Sequence, residues 1–122
     1  VSENISKCRR AGFKIAIDDM GAGFSSFADL YDNEIDLVKI DGEFIASCTS
    51  ERQQTMLSNI ITLVHESGAK ILCEGVENLE QADFLDKINC DMMQGFYFSK
   101  ILPLVECEKF LKNENITEGK NF

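Results

Sequence analysis

"FKIAIDDMGAGFSS", residues 13–26, is the stretch on which the fold turns. Ile15, Ala16 and Ile17 form a nearly continuous apolar run, the pattern of a parallel strand covered on both faces. Two adjacent carboxylates, Asp18 and Asp19, close the run, and a loop of Gly21, Ala22 and Gly23 leads into a short helix at residues 25–31. In parallel α/β folds the loops after the strands build the ligand site, so the charges stand where chemistry is expected. A turn followed by a helix cap would use the same residues, and only the remaining strands can separate the two readings.

Outward from this stretch the same alternation repeats. Residues 2–11 read as a helix capped by Ser2 and stopped by Gly12. "DLVKID" at 36–41 reads as the second strand, and a helix from Glu51 to Ser67 carries Met56, Leu57, Ile60, Ile61 and Val64 as one stripe before Gly68 ends it. "AKILCEGV" at 69–76 is the third strand, followed by a helix from Leu79 to Ile88 in which Asn78 and Gln81 have capping-box spacing. "CDMMQGFYFS" at 90–99 reads as the fourth strand, "LVECEKFLKN" at 104–113 as the last helix, and 114–122 as a tail. This βαβαβαβα order predicts an α/β fold with about four parallel strands. An open doubly wound sheet and half of a (β/α)8 barrel both satisfy it.

Each strand ends on a polar group: Asp18 and Asp19, then Lys39 and Asp41, then Glu74, then Gln94. Polar ends on successive strands argue for one shared mouth. Adjacent carboxylates can serve two cations roughly 3.5–4 Å apart, an arrangement suited to phosphoester cleavage, and oxygen donors favour Mg²⁺ or Mn²⁺ over zinc. Lys39, flanked by Val38 and Ile40, needs anionic neighbours whether its role is structural or chemical. Glu77 reads as a loop or capping residue, His65 as a solvated or capping histidine away from the strand ends, Met92 and Met93 as core, and Phe96, Tyr97 and Phe98 as packing residues. "GAG" lacks the third glycine of a dinucleotide fingerprint, which disfavours a nicotinamide site.

Twelve basic against 21 acidic side chains give a net charge of −9, which repels nucleic acid polymers and anionic membranes. No apolar run reaches the roughly 18–20 residues of a membrane span, and no signal-peptide pattern opens the chain. The segment is therefore expected to be cytoplasmic without membrane contact of its own, though other domains of a parent protein could anchor it. The five cysteines form no C-x-x-C pair and read as reduced, small hydrophobes.

With the strand ends in view, the sequence resembles the EAL domain family, bacterial phosphodiesterases that hydrolyse cyclic di-GMP to pGpG with Mg²⁺ or Mn²⁺. "AIDDMGAGFSS" is similar to the family's D-D-F-G-T-G-Y-S-S segment, "LVKID" to its K-I-D strand, "CEGVENLEQ" to its A-E-G-V-E loop and "DMMQGFYFSKILP" to its Q-G-Y-Y-F-S-K-P-L-P end. The resemblance implies the second half of a TIM-like (β/α)8 barrel, with residues 1–113 a partial EAL domain and 114–122 a tail. It implies metal ligation by Asp18 and Asp19, and catalytic roles for Lys39, near the attacking water and scissile phosphate, and for Glu74, which would hold Lys39 or that water or accept a proton. Gln94 would contact water or substrate. Met20, Gly21, Gly23 and Ser25 would belong to the family's regulatory loop.

Met20, Ala22, Phe24 and Ile101 depart from the family's Phe, Thr, Tyr and Pro. The E-A-L strand and further ligands have no counterpart in residues 1–122, so this chain is expected to be a piece of the barrel with negligible turnover by itself. Open barrel edges would favour self-association. The alternative is a receptor or docking module that binds cyclic di-GMP or a protein without cleaving anything.

Overall fold

The computed structural model describes residues 2–20 and 25–113, so the 114–122 tail and loop residues Gly21 and Gly23 lie outside the described residues. The elements run α1 (Ser2–Arg10), β1 (Ala16–Met20), α2 (Ser25–Asp32), β2 (Leu37–Ile40), α3 (Gly42–Ser47), α4 (Glu51–Glu66), β3 (Lys70–Cys73), α5 (Leu79–Lys87), β4 (Met92–Met93) and α6 (Leu104–Asn113). All strand pairs are parallel and the sheet order is β1-β2-β3-β4. A doubly wound sheet reverses its strand order at a switch point; this order never reverses, so the sheet is an arc of a barrel wall.

Burial alternates along the strands. Val38, Ile40, Ile71 and Cys73 face the helices and are at most 1% exposed, sharing one core with Leu57, Ile61 and Val64 of α4 and Leu85 of α5. Each such side chain contributes about 1.5–3 kcal/mol on burial. Leu37, Lys39, Lys70 and Leu72 on the other face are only partly covered. The expectation of strands covered on both faces is thus met on one face, against which the core side chains of α4 and α5 pack.

Several boundaries follow from local chemistry. Ser50 and Gln53 form a full capping box at the start of α4, and Asn78 accepts from Gln81 N–H at the start of α5 while Gln81 Oε1 accepts from Glu77 N–H at 2.8 Å. Glu77 is therefore a capping residue through its backbone. Helix α3 was not anticipated: Asp41, read as a strand-end carboxylate, also caps it by accepting from Glu43 N–H. Met56, placed on the α4 stripe, is 54% exposed and stands off it.

The fourth strand is much shorter than residues 90–99. Only Met92 and Met93 pair with β3, both partly buried, and Phe96, Tyr97 and Phe98 are 62%, 42% and 46% exposed rather than packed. The chain leaves the sheet at Gly95, where a β-carbon would lie 2.1 Å from Val76 O. That approach lets Tyr97 N–H donate to Val76 O and Ser99 N–H to Gly95 O, a turn in place of a ladder.

Two side-chain contacts tie the helices to the amino ends of the strands. Asp36 Oδ2 accepts from Arg9 at 2.6 Å and from Ile15 N–H at 2.7 Å, fixing α1 against β1 and β2. Asp91 Oδ2 lies 2.7 Å from His65 Nε2 and accepts from Ile71 N–H at 2.9 Å. His65, its side chain 34% exposed, stands away from the carboxyl ends of the strands and through Asp91 links the end of α4 to the start of β3.

Candidate functional site

The site begins with a misfit between β1 and β2. Ile17 pairs with Val38 and Met20 with Ile40, so Asp18 and Asp19 together oppose the single residue Lys39. Two residues against one is a β-bulge. In a regular strand, neighbouring side chains point to opposite faces, and Asp19 would point into the helix layer. Asp19 instead has φ +54, a left-handed conformation that Asp tolerates better than most residues. The bulge lets Met20 return to the core, 2% exposed, while both carboxylates stay outside it.

Lys39 joins the strands across this face. Its Nζ lies 3.2 Å from Asp18 Oδ1 and 2.9 Å from Glu74 Oε1. Glu74 gets there because it continues β3 in register, two residues beyond Leu72, the partner of Lys39. Gly75 then takes φ +68 and turns the chain away, with its Cα so close to Gly42 that a β-carbon there would meet Gly42 Cα at 2.6 Å. Hydrogen bonds to Glu74 and then Asp18 hold the Lys39 ammonium above its ordinary range.

One oxygen from each of Asp18, Asp19 and Glu74 can lie within 4.8 Å of the others. The charge of Asp18, then burial, then Asp41 and Glu74 push the Asp19 carboxyl up, with Lys39 opposing them. An acid destabilised by its own neighbours is one that a cation would relieve. The donor set, carboxylate oxygens only, fits a hard divalent ion such as Mg²⁺, Mn²⁺ or Ca²⁺.

The sequence-derived residues are thus distributed unevenly. Asp18, Asp19, Lys39 and Glu74 converge, and Asp41 stands close enough to act electrostatically on Asp19. Gln94 is exposed at the carboxyl end of β4, its N–H donating to Cys73 O at 2.9 Å and its carbonyl accepting from Val76 N–H at 3.0 Å. Met20 is a core residue at the strand end, and Ser25 begins α2. The bulge itself was missed, although an acidic pair just before a residue that must be buried was a visible signal for it.

Comparison with known proteins places these features in company. Residues 1–101 match the family model described as EAL domain. The cyclic di-GMP phosphodiesterase NbdA of Pseudomonas aeruginosa is 36% identical over 109 residues, covering 88% of this chain and 14% of that protein. An EAL domain protein from Listeria monocytogenes EGD-e superposes with a TM-score of 0.81 at 40% identity, over 88% of this chain and 44% of its own. BlrP1 of Klebsiella pneumoniae, solved with cyclic di-GMP and manganese, superposes with a TM-score of 0.73 at 32% identity, over 80% of this chain and 25% of its own. The chain therefore spans less than half the length of each relative.

Proposed function

The chain belongs to the EAL domain family, and from that membership we propose that it is the carboxyl-terminal part of a cyclic di-GMP phosphodiesterase barrel, cleaving its substrate to pGpG only when the rest of the barrel is present. The observation that carries the proposal is the bulge that sets Asp18, Asp19 and Glu74 within 4.8 Å of one another beside Lys39. Divalent ions, Mg²⁺ or Mn²⁺, would be held by Asp18 and Asp19 together with ligands from outside this chain. When bound they would supply positive charge at the scissile phosphate and lower the pKa of the attacking water.

The work left to this chain's residues can be stated atom by atom. Lys39 Nζ, held by Asp18 and Glu74, presents its remaining N–H toward the phosphate oxygens and stabilises charge that grows there. Glu74 Oε1 fixes the ammonium, and its carboxylate would orient the attacking water or accept its proton. Gln94, on the next strand end, offers an amide to water or substrate. Met20, Gly21, Gly23 and Ser25 form the segment through which binding at the acid pair would reach the chain's surroundings.

As a partial EAL domain over 1–113, the chain exposes sheet edges that the full barrel would pair, and we expect it to self-associate. The segment itself is expected in the cytoplasm, without membrane or nucleic-acid contact; none of the described helices is long and apolar enough to cross a membrane. Turnover of cyclic di-GMP with Mn²⁺, measured for this chain and for a form extended upstream through a complete barrel, tests the reading. Cleavage by the extended form alone, abolished by Asp19→Ala, is expected. Binding without cleavage by both forms would make the domain a receptor, and robust turnover by the 122-residue chain would overturn the dependence on missing ligands.

A further inference from the structure

Past their paired residues, the ends of β2 and β3 touch through backbone alone. The register sets Lys39 against Leu72 and Ile40 against Cys73, so Asp41 and Gly42 continue opposite Glu74 and Gly75. Glu74 N–H still donates to Ile40 O at 2.9 Å. Beyond that bond a β-carbon on Gly42 would lie 2.8 Å from Gly75 Cα and 3.1 Å from Glu74 O, and one on Gly75 would lie 2.6 Å from Gly42 Cα. Only two glycines allow such an approach. On the other side of β3, Val76 meets Gly95 as closely and donates to Gln94 O at 3.0 Å. The end of β3 is therefore held between backbone neighbours on both sides.

We propose that Gly42 and Gly75 are positioning residues, whose backbone contact sets the spacing across which the Lys39 ammonium meets the Glu74 carboxylate. The pair spans the same two strands, with Lys39 three residues before Gly42 and Glu74 directly before Gly75. The importance of that spacing for hydrolysis rests on the proposed function, whereas the contact that sets it is a property of the folded chain itself.

Distances decide the effect. Carbon atoms settle at separations near about 3.5 Å, so an alanine methyl at position 42, built 2.8 Å from Gly75 Cα, must part the two strand ends by about 0.7 Å. Lys39 Nζ lies 2.9 Å from Glu74 Oε1, and the same displacement carries the pair to about 3.6 Å, outside hydrogen-bonding range. An ammonium that followed Glu74 would leave Asp18 Oδ1, which is 3.2 Å away already. One of the two contacts is given up either way. Gly42 opens α3 and has no positive φ, so alanine there adds the contact without backbone strain. Gly75, with φ +68, would mix the two effects.

Nuclear magnetic resonance of the full chain tests this without reference to enzymatic activity. A lysine ammonium held by carboxylates exchanges slowly enough with water to give its own nitrogen–proton correlation. That peak for Lys39, identified by its loss in Lys39→Met, is expected in the unsubstituted chain and in Gly68→Ala, where the added β-carbon meets nothing within 4 Å. In Gly42→Ala the Lys39 ammonium should exchange at least about tenfold faster, the equivalent of one charged hydrogen bond lost, with the backbone amide peaks of α4 and α5 in place. Glu74→Asp draws the carboxylate back by one methylene without touching either glycine, and should give the same loss of protection. In the form extended through a complete barrel, Gly42→Ala should lower kcat with KM unchanged. An extended form that cleaves nothing would defeat the proposed function, while the ammonium comparison would still decide the spacing. Three results would overturn the proposal: no protected Lys39 ammonium in the unsubstituted chain, equal protection in Gly42→Ala, or a Gly42→Ala variant that folds in neither form, which would make the contact a requirement of the whole fold.

Discussion

Replacing Gly95 by alanine should be among the most damaging single changes in the chain, although it adds only a methyl group. The new β-carbon would lie 2.1 Å from Val76 O, 2.4 Å from Val76 N and 2.7 Å from Val76 C, where non-bonded contacts normally begin near about 3.5 Å. All these atoms belong to backbone, so no side-chain rotation relieves the overlap. Separation would break the bond from Val76 N–H to Gln94 O and the bond from Tyr97 N–H to Val76 O, both 3.0 Å, and lift Val76 from its fully buried position. Two backbone bonds at about 1 kcal/mol each and overpacking strain of about 1–3 kcal/mol give a loss of about 3–5 kcal/mol. With a urea slope near 1.5 kcal/mol/M, the unfolding midpoint should fall by about 2–3 M, or the folded baseline should vanish. Gly68→Ala is the control. Gly68 has φ +89 but nothing within 4 Å of its β-carbon, so only the backbone strain of about 1 kcal/mol is incurred. Urea unfolding of both variants, at two protein concentrations to expose any contribution from association, decides it. A Gly95→Ala midpoint equal to or above that of Gly68→Ala refutes the reasoning.

Three other outcomes are expected. Asp19→Asn, which keeps a residue tolerant of φ +54, should raise the urea midpoint of the metal-free chain at neutral pH, because the folded-state pKa of Asp19 is raised and its ionised form opposes folding. That penalty is complete above the raised pKa and absent below the ordinary value of 3.8, so the gain should disappear as pH falls through that window; an unchanged midpoint at neutral pH contradicts it. Lys39→Met in the complete barrel should abolish turnover without weakening Mn²⁺ binding in calorimetry, since the ammonium competes with a cation for Asp18 and Glu74; a weaker Mn²⁺ affinity would assign Lys39 a purely structural role. Asp36→Ala removes the acceptor shared by Arg9 and Ile15 N–H and should cost about 1–3 kcal/mol in urea unfolding, and a loss under 0.5 kcal/mol would mean that solvent replaces the clasp.

Periodicity and capping chemistry made most of the architecture legible in advance. The end of α4 follows Gly68 and the start of α5 follows Asn78 with Gln81, whereas the Ser50–Gln53 box that opens α4 was overlooked, and the helix face of the sheet follows Val38, Ile40 and Ile71. Composition could not reveal where pairing stops. "MMQGFYFS" has the apolar and aromatic look of a strand, yet the close passage of Gly95 past Val76 ends it, and that contact is set by a residue nineteen positions upstream. Helix α3 was obscured because Asp41 carries two signals, a polar strand end and a helix cap. The convergence of Asp18, Lys39 and Glu74 was visible as polar strand ends, whereas the placement of Asp19 depends on a register that only the paired strands define. His65 and Asp91 lie 26 residues apart with nothing in their spacing to announce the contact.

The length mismatch between β1 and β2 has a practical implication for engineering. Removing Asp18 would leave one residue between Ile17 and Met20, matching the one residue between Val38 and Ile40, and the ladder could close without interruption. Such a deletion would relieve the left-handed backbone at Asp19 and the repulsion between the two acids while erasing the acid pair. Selection for thermal robustness alone would therefore favour shortening this strand, and a library screened for folding should recover the deletion unless ligand binding is demanded in the same round.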